Sequence, residues 1–416
     1  MSKAKADESM IHGEVAPGFG KVEAEFKRNF THRGELGAAC AIYHKGKKVV
    51  DLWGGYRDEK TLAPWEENTL TQVFSMTKGM AAMAVALACS RALLDYDERI
   101  ASYWPEFSQG GKERITVRQL LDHQAGLSAI DEPLDLETVA DHDTLEAILA
   151  RQRPAWAPGT KRGYHNWNHG WYLSALIRRV DHQRRSLGQF FQDEIAKPLG
   201  LEFYIGLPPE IPDSRIANIK PVNKFKVLFN LDKVPYLKQV LNPLKWNSLT
   251  YRTMMNPRFL TNHGNFNRRD VRSVEIPSAN GIGQVRSIAK AYSVFATGGS
   301  ELGINKETLE ALTAPAMPPP GGWRDEVLQV DTSFSLGYVK PFHAFEFGVS
   351  HKAFGCGGAG VGFANADPDA QVGFGYASNK MSFYGQDDPR EKPVRDVFYM
   401  CLDRMGQMPQ IDRLTS

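Results

Sequence analysis

The stretch SMTKGMAAMAVAL, residues 75–87, is the most informative part of this chain. Its alanine, methionine and leucine residues favour an α-helix, and the lack of charge after Lys78 predicts that this helix is buried. Ser75 and Lys78 are three positions apart, so they share one face of the helix. A lysine stripped of water loses its proton readily and can be the base that a serine nucleophile requires. The helix would also direct the backbone N–H of Ser75 toward a developing oxyanion.

The same Ser-x-x-Lys spacing occurs at Ser2/Lys5 and at Ser287/Lys290. The first pair lies in a polar N-terminal tail with no core to support it. The second lies in QVRSIAKAY, residues 284–292, which has the pattern of an ordinary amphipathic helix. We expect its serine and lysine to face solvent, which leaves Ser75 as the nucleophile.

The composition is that of a globular protein. The chain has 416 residues, of which 42% are hydrophobic and 24% charged, enough for one large or two medium domains. A net charge of +2 without a long basic block argues against a nucleic-acid partner. No stretch approaches the ~20 apolar residues of a membrane span, so we expect no membrane partner. The composition leaves the oligomeric state open.

The N-terminus and the cysteines predict the compartment. Residues 1–8 contain no apolar core of the kind that a secretory signal has. Four widely spaced cysteines form neither a zinc-binding pattern nor a disulfide framework: Cys40, Cys89, Cys356 and Cys401. Together these features predict reduced thiols and a cytoplasmic location.

Strand patterns occur near both ends of the chain. Residues 38–43 and 48–53 are β-prone runs around a short glycine-containing turn, and residues 360–365 and 371–377 flank an Asp-Pro-Asp turn. Each pair is typical of a β-hairpin. Strands at both termini around a helical middle indicate that one sheet is built from both ends of the chain.

The middle of the chain is mostly helical in pattern until residues 208–275, where Pro, Asn, Lys and bulky apolar residues mix without a clear period, as in KFKVLF at 224–229. Such a stretch is either a lid over a substrate cleft or plain surface packing. We predict an α+β protein in which residues 1–74 and 276–416 form the sheet domain. Residues 75–275 then form an inserted, mostly helical domain that includes the lid-like stretch.

Tyr164 is a candidate for proton transfer. It begins the one Tyr-x-Asn pattern of the chain, YHN at 164–166, after the turn signal WAPGT at 156–160 and before a helical run. On such a loop it can lie over Ser75 and relay a proton, and we expect neighbouring Lys78 to favour its phenolate form. A buried structural tyrosine with a satisfied hydroxyl is the alternative.

The glycine-rich stretch FGCGGAG, residues 354–360, contains the Gly-x-Gly-x-x-Gly spacing of dinucleotide sites. A strand pattern follows it where that fingerprint requires a helix, so we reject a dinucleotide. A strand edge rich in glycine allows a substrate to approach backbone N–H groups closely. We expect the N–H of Ala359 to be a second oxyanion donor beside that of Ser75.

Histidines offer a further pattern to test. His165 and His169 have the spacing of a metal-ligand pair, but no glutamate follows in the His-Glu-x-x-His arrangement. We expect both to be surface or hydrogen-bonding histidines, and we expect a structural hydrogen bond for His123. We therefore predict no metal site.

Several blocks carry a resemblance to a known family, in order and from about residue 20 to 400. They are Ser75/Lys78, ITVRQLLDHQAGL at 115–127, PGT at 158–160, Tyr164/Asn166, PSANG at 277–281, FATGG at 295–299, GF at 362–363 and SNKM at 378–381. This set resembles the serine β-lactamase superfamily, and more narrowly its class C β-lactamase-like esterases, the family VIII carboxylesterases.

The resemblance implies a fold and a mechanism. The fold would have a central antiparallel sheet, helices on both faces and a helical domain. Ser75 would form an acyl-serine intermediate while Lys78 and Tyr164 move its proton, and Asn166 would orient Lys78 or the acyl carbonyl. Neither a metal nor an organic cofactor is expected.

One departure concerns the substrate. True β-lactamases of this type carry Lys-Thr-Gly at the third element, where this sequence has Cys356, Gly357 and Gly358, closer to the Trp-Gly-Gly of some esterases of the family. A lysine there would bind a substrate carboxylate, and a cysteine has no positive charge to offer. This argues against β-lactams and D-amino-acid peptides and favours neutral esters. We interpret Cys356 as a small apolar spacer at this substrate-binding edge.

The sequence therefore predicts a serine hydrolase that cleaves small carboxylic esters, with short acyl chains, through an acyl-serine intermediate. Three alternatives remain: an acyltransferase that uses the same Ser75, Lys78 and Tyr164, a β-lactamase or D-peptidase, and a non-catalytic member of the family.

Overall fold

The computed structural model describes residues 8–223, 230–231 and 233–409. The strands within them are β1 (Ile11–Val15), β2 (Gly37–His44), β3 (Lys47–Gly55), β4 (Leu70–Gln72), β5 (Phe203–Ile205), β6 (Ile216–Ala217), β7 (Gly281–Gly283), β8 (Phe334–Ser335), β9 (Tyr338–Val339), β10 (Phe354–Gly358), β11 (Gly362–Asp367) and β12 (Val372–Ser378).

The α-helices of the described residues are α1 (Gly20–Thr31), α2 (Met76–Ser90), α3 (Ile100–Tyr103), α4 (Val117–Leu121), α5 (Leu136–Ala140), α6 (His142–Arg151), α7 (His169–Val180), α8 (Leu187–Phe191), α9 (Lys197–Leu199), α10 (Pro235–Leu241), α11 (Leu249–Met255), α12 (Arg258–Thr261), α13 (Arg269–Ser273), α14 (Val285–Ala296), α15 (Lys306–Thr313) and α16 (Lys392–Arg404). Shorter helical turns are Glu8–Met10, Pro105–Phe107, Gln192–Ala196, Asp213–Arg215, Pro243–Lys245, His263–Asn267 and Ser300–Leu302.

The main sheet joins both ends of the chain, as the strand patterns predict. Among the described residues it has eight strands in the order β1-β3-β2-β12-β11-β10-β9-β8. The two predicted hairpins are confirmed as β2/β3 and β11/β12, and β12 pairs antiparallel with β2 from Val372↔His44 to Ser378↔Ala38. A smaller sheet has the order β5-β7-β4-β6.

Helices cover both faces of the main sheet. On one face α14 lies directly on β12, where a Cβ on Gly373 would stand only 2.3 Å from the backbone nitrogen of Ser293. On the other face α1 and α16 pack on the sheet, and Phe26 meets Tyr376 edge to face. The predicted α+β fold, with an antiparallel sheet flanked by helices, is confirmed. The domain division at residues 74/75 and 275/276 remains a proposal.

Two predictions from periodicity need correction. The stretch 208–275 contains α10 to α13, so its lack of period reflects several short helices in succession; its example, residues 224–229, lies outside the described residues, as does the pair Ser2/Lys5. Ser287 does not face solvent, and Lys290 is half-buried. Ser287 is buried and its Oγ accepts from the Glu202 N–H at 3.0 Å, while Lys290 donates to the Leu199 carbonyl at 2.6 Å.

Within the described residues, no helix has both the length and the apolar character needed to cross a membrane.

Candidate active site

Ser75 stands at the N-terminal end of the buried helix α2. The preceding residue, Phe74, has φ of 47°, a left-handed conformation that a bulky side chain rarely adopts. Packing holds this turn: the Phe74 ring meets Phe266 at 4.9 Å, and the Gly281 N–H donates to Thr77 Oγ1 at 2.9 Å. Ser75 itself is half-buried and therefore open to a substrate.

Lys78 lies one turn along α2 and is only 1% exposed. Its Nζ donates to the carbonyls of Asn166 at 2.7 Å and Ser278 at 3.1 Å, and lies 3.4 Å from Ser75 Oγ. Burial lowers the pKa of Lys78 to about 7. A neutral amine has two N–H groups and one lone pair, so when the two carbonyls take the N–H groups the lone pair is left facing the Ser75 hydroxyl.

Tyr164 completes the arrangement around the serine. Its hydroxyl donates to Ser75 Oγ at 2.9 Å, and its ring centroid lies 4.7 Å from Lys78 Nζ. Burial raises the pKa of Tyr164 above its ordinary value, so the phenol keeps its proton. The expectation that Lys78 favours the phenolate is wrong, because desolvation of the ring outweighs the attraction of an amine that is itself partly neutral.

Asp325 holds the backbone that carries Tyr164. Its Oδ1 accepts from the Tyr164 N–H at 3.2 Å, and from the N–H groups of Val327 and Leu328 at 2.8 Å each. Sequence inspection missed this residue, which is distant along the chain and belongs to no motif.

Three buried histidines pack behind Tyr164. His123 lies with its ring centroid 5.0 Å from that of Tyr164, and its Nδ1 is 3.0 Å from Nδ1 of His165. Burial lowers the pKa of all three, that of His165 to about 3, so they stay neutral. His169 packs on His123 at 4.5 Å. The part of the chain that the structure describes contains no group of three or more His, Cys, Asp and Glu residues arranged to hold a metal ion.

Asn166 reaches Lys78 through its backbone. The contact is made by its carbonyl oxygen, which accepts from Lys78 Nζ. The half-buried Asn166 side chain has no hydrogen bond to another described residue, so its carboxamide is available to a bound substrate. The matching carbonyl of Ser278 was missed, although the PSANG block that contains it belongs to the resemblance.

The glycine-rich strand β10 lies directly against the start of α2. A Cβ on Gly358 would stand 2.4 Å from the Val73 carbonyl oxygen, so only glycine permits this approach. The exposed Ala359 follows in the turn after β10, beside the serine's helix. Gly357 has more room, since the atom nearest to a Cβ there would be the Gly385 carbonyl oxygen at 3.4 Å.

Cys356 also faces α2 from this strand. It is buried, and its thiol donates to the Ser75 carbonyl with Sγ···O of 2.9 Å. Burial raises the pKa of the thiol to about 11. Cys356 is therefore protonated near neutral pH, as a spacer would be, and it also holds the backbone of Ser75.

The chain belongs to the β-lactamase family, whose model matches residues 26–397. The esterase/β-lactamase LipL of Mycobacterium tuberculosis is 31% identical over 372 residues, which cover 89% of this chain and 83% of LipL. The crystal structure of a family VIII carboxylesterase is 35% identical, with a TM-score of 0.81, covering 94% of this chain and 100% of that one. A penicillin-binding protein homologue from Caulobacter crescentus is 32% identical, with a TM-score of 0.77 and coverage of 94% and 100%. These similarities confirm the resemblance drawn from the sequence.

Proposed function

We propose that this protein is a carboxylesterase-type serine hydrolase for small, neutral, short-chain esters. The observation that carries the proposal is the position of Lys78 Nζ, which the carbonyls of Asn166 and Ser278 hold 3.4 Å from Ser75 Oγ. The similarity to a family VIII carboxylesterase and to a relative named an esterase supports the same activity.

The acylation step follows from the hydrogen bonds. Lys78 takes the proton of Ser75 as Oγ attacks the ester carbonyl, and Tyr164 stabilises the emerging charge with its O–H. The backbone N–H groups of Ser75 and Ala359 would hold the oxyanion. Tyr164 then gives its proton to the leaving alcohol and regains one from the Lys78 ammonium, so the proton balance closes.

Deacylation uses the same groups. Water attacks the acyl-serine, with Lys78 and Tyr164 accepting its proton and returning one to Ser75 Oγ. Asn166 is proposed to orient the acyl carbonyl through its carboxamide. Cys356, Gly357 and Gly358 would line the edge along which the substrate lies, and no cofactor is required.

The lack of a cation at Cys356 supports neutral esters over β-lactams and D-peptides. Because its thiol has a pKa of about 11, Cys356 carries no charge that could bind or repel a substrate carboxylate near neutral pH. The β-lactamase alternative is kept because LipL is named both an esterase and a β-lactamase. The D-peptidase alternative is kept because one structural relative is a penicillin-binding protein homologue.

The first test compares a short-chain p-nitrophenyl ester series with a chromogenic cephalosporin. Wild type should cleave the esters and leave the cephalosporin nearly intact, and Ser75→Ala should lose at least about 10³-fold in kcat/KM. Ser287→Ala is a matched control because Ser287 belongs to the other Ser-x-x-Lys pair of the described residues; it should keep activity within about twofold. Full ester activity in Ser75→Ala would contradict the mechanism, and fast cephalosporin cleavage would reverse the substrate assignment.

Acyl transfer is distinguished by product analysis. Adding an acceptor alcohol at high concentration should yield mainly the free acid if the protein is a hydrolase; a new ester as the main product would favour the transferase. A serine-reactive phosphonate should label Ser75, and failure to label would favour a non-catalytic role. A cytoplasmic location is part of the proposal, supported by the four unpaired cysteines.

A further inference from the structure

Residues 233–269 form a basic stretch without any acid. They contain seven Lys and Arg residues and no Asp or Glu: Lys233, Lys238, Lys245, Arg252, Arg258, Arg268 and Arg269. The whole chain has a net charge of +2, so the remainder of the sequence has a net charge of 2 − 7 = −5. The segment therefore has a net positive charge of its own, although Arg252, Arg268 and Arg269 form ion pairs with Asp131, Asp270 and Asp213.

The same stretch exposes apolar side chains. Leu244 is 95% exposed, Trp246 54% and Leu241 49%, and these are half of the six large hydrophobic residues found exposed among the described residues. Lys238 lies three positions before Leu241 on α10, and Lys245 lies between Leu244 and Trp246. We call these five residues the docking face.

The two lysines of the docking face are exposed, and neither forms an ion pair with another described residue. Their charges are thus not neutralised by any residue that the structure describes. Leu244, on the short helical turn Pro243–Lys245, stands clear of the surface with almost no protein neighbour. A protruding leucine and a tryptophan next to unpaired lysines are the features of segments that lie in a lipid interface.

The docking face adjoins the catalytic residues. Tyr236, on α10, is close enough to Tyr164 for the two side chains to interact electrostatically. Lys233, just before α10, donates to the Tyr384 hydroxyl at 3.0 Å. The next residue, Gly385, is the one whose carbonyl faces Gly357 on β10. The segment that carries the docking face therefore runs between the catalytic tyrosine and the glycine-rich edge.

The docking face is also tied firmly to the site. Trp167, three residues after Tyr164, donates its Nε1–H to the Met254 carbonyl at 3.3 Å, which joins α11 to the catalytic loop. Thr250 of α11 is buried and donates to the Val327 carbonyl at 3.0 Å. The helix that directly follows the docking face is therefore joined to the loop that carries Tyr164.

We propose that the docking face binds an anionic lipid surface and presents esters held in that surface to Ser75; the second half of this inference rests on the proposed function. The inference departs from the expectation of no membrane partner, which was drawn from the lack of a membrane-spanning stretch. Each lysine near such a surface contributes attraction, while Leu244 and Trp246 enter the headgroup region. A second copy of this chain fits less well, because a two-fold interface through this face would place its lysines against each other.

The test is sedimentation of the full-length protein with vesicles. Vesicles of phosphatidylcholine with phosphatidylglycerol should pellet it at low salt, pure phosphatidylcholine should not, and raising the salt should release it. Leu244→Asn should weaken binding about tenfold, and Leu62→Asn, an exposed leucine elsewhere, should not change it. Lys238→Gln with Lys245→Gln should weaken it about thirtyfold.

Two results would overturn the inference: no pelleting with anionic vesicles, or pelleting that Leu244→Asn leaves unchanged. A concentration-dependent dimer that Leu244→Asn abolishes would also overturn it, by making a second copy the occupant. Ser75→Ala should pellet like wild type, and a soluble ester measured in parallel tests catalysis alone. Vesicle binding without ester hydrolysis would refute the proposed function and leave the lipid-binding surface in place.

Discussion

Two lysines of this protein are equally buried but face different side chains. Lys78 and Lys340 are each 1% exposed, and burial lowers the pKa of each to about 7. Both donate to backbone carbonyls, Lys340 to Leu312 at 2.8 Å and Lys352 at 3.3 Å. The third neighbour differs: Lys78 faces Ser75 Oγ, whereas Lys340 lies 5.5 Å from the centre of the Phe354 ring.

The comparison separates two requirements of a catalytic base. Desolvation gives either lysine a lone pair near neutral pH, so a lowered pKa alone does not identify the base. Only Lys78 has a hydroxyl whose proton it can take and a second hydroxyl, that of Tyr164, bonded to the same oxygen. The third neighbour of Lys340 is the Phe354 ring, and an aromatic ring stabilises the ammonium form of a lysine.

Substituting each lysine by methionine should give the largest contrast. Lys78→Met should lower kcat/KM for a p-nitrophenyl ester by about 10³–10⁴-fold, because the serine loses its base. Lys340→Met should leave it within about twofold. Steady-state kinetics on both variants, with thermal melting to confirm folding, would test this; comparable losses in the two would mean that burial rather than geometry distinguishes the base.

Tyr164→Phe should have the next largest effect, a loss of about 10²-fold in kcat/KM. It removes the O–H that bonds Ser75 Oγ while the ring that packs on His123 stays. Tyr236→Phe is the matched control, since Tyr236 lies near the site without a bond to the serine, and should retain most activity. Equal losses of kcat/KM in the two variants would mean that Tyr164 does not transfer a proton.

The pH profile should report Lys78. With a pKa of about 7 for its ammonium, kcat/KM should fall about tenfold per pH unit below 7 and level off above it. Because the pKa of Tyr164 is raised, no decline should follow between pH 8 and about 9.5. Lys340→Met should show the same profile, and a rate independent of pH from 5.5 to 8 would exclude Lys78 as the base.

The lowered pKa of Lys340 should make the free energy of unfolding depend on pH. Its pKa is about 7 in the folded protein and ~10.4 in an unfolded chain, so between these values the unfolded state binds a proton that the folded state lacks. The free energy of unfolding should therefore rise with pH by up to about 1.4 kcal/mol per unit from this group. Urea unfolding from pH 7.5 to 9.5 should show a smaller slope in Lys340→Met; an unchanged slope would mean that Lys340 stays charged when folded.

The local sequence was sufficient to predict several secondary-structure elements. The two hairpins, the buried helix beginning at Ser75 and the order of the family blocks could be predicted because each depends on neighbouring residues or on a motif of known spacing. The amphipathic pattern at 284–292 led to a wrong prediction that Ser287 is exposed to solvent. Such a pattern shows that a helix has one buried face, but it does not show whether another part of the chain covers its polar face. Ser287 is covered by residue 202, far away in the sequence.

The sequence alone predicted the class of fold, proposed Ser75 as the nucleophile with Lys78 beside it, and showed that no cation stands at position 356. The fold was needed to see that the carbonyls of Asn166 and Ser278 hold Lys78, and that burial favours the protonated form of Tyr164. The physical reason is that a pKa depends on how much water is removed and on which dipoles replace it. Those are set by loops that meet only after the chain has folded.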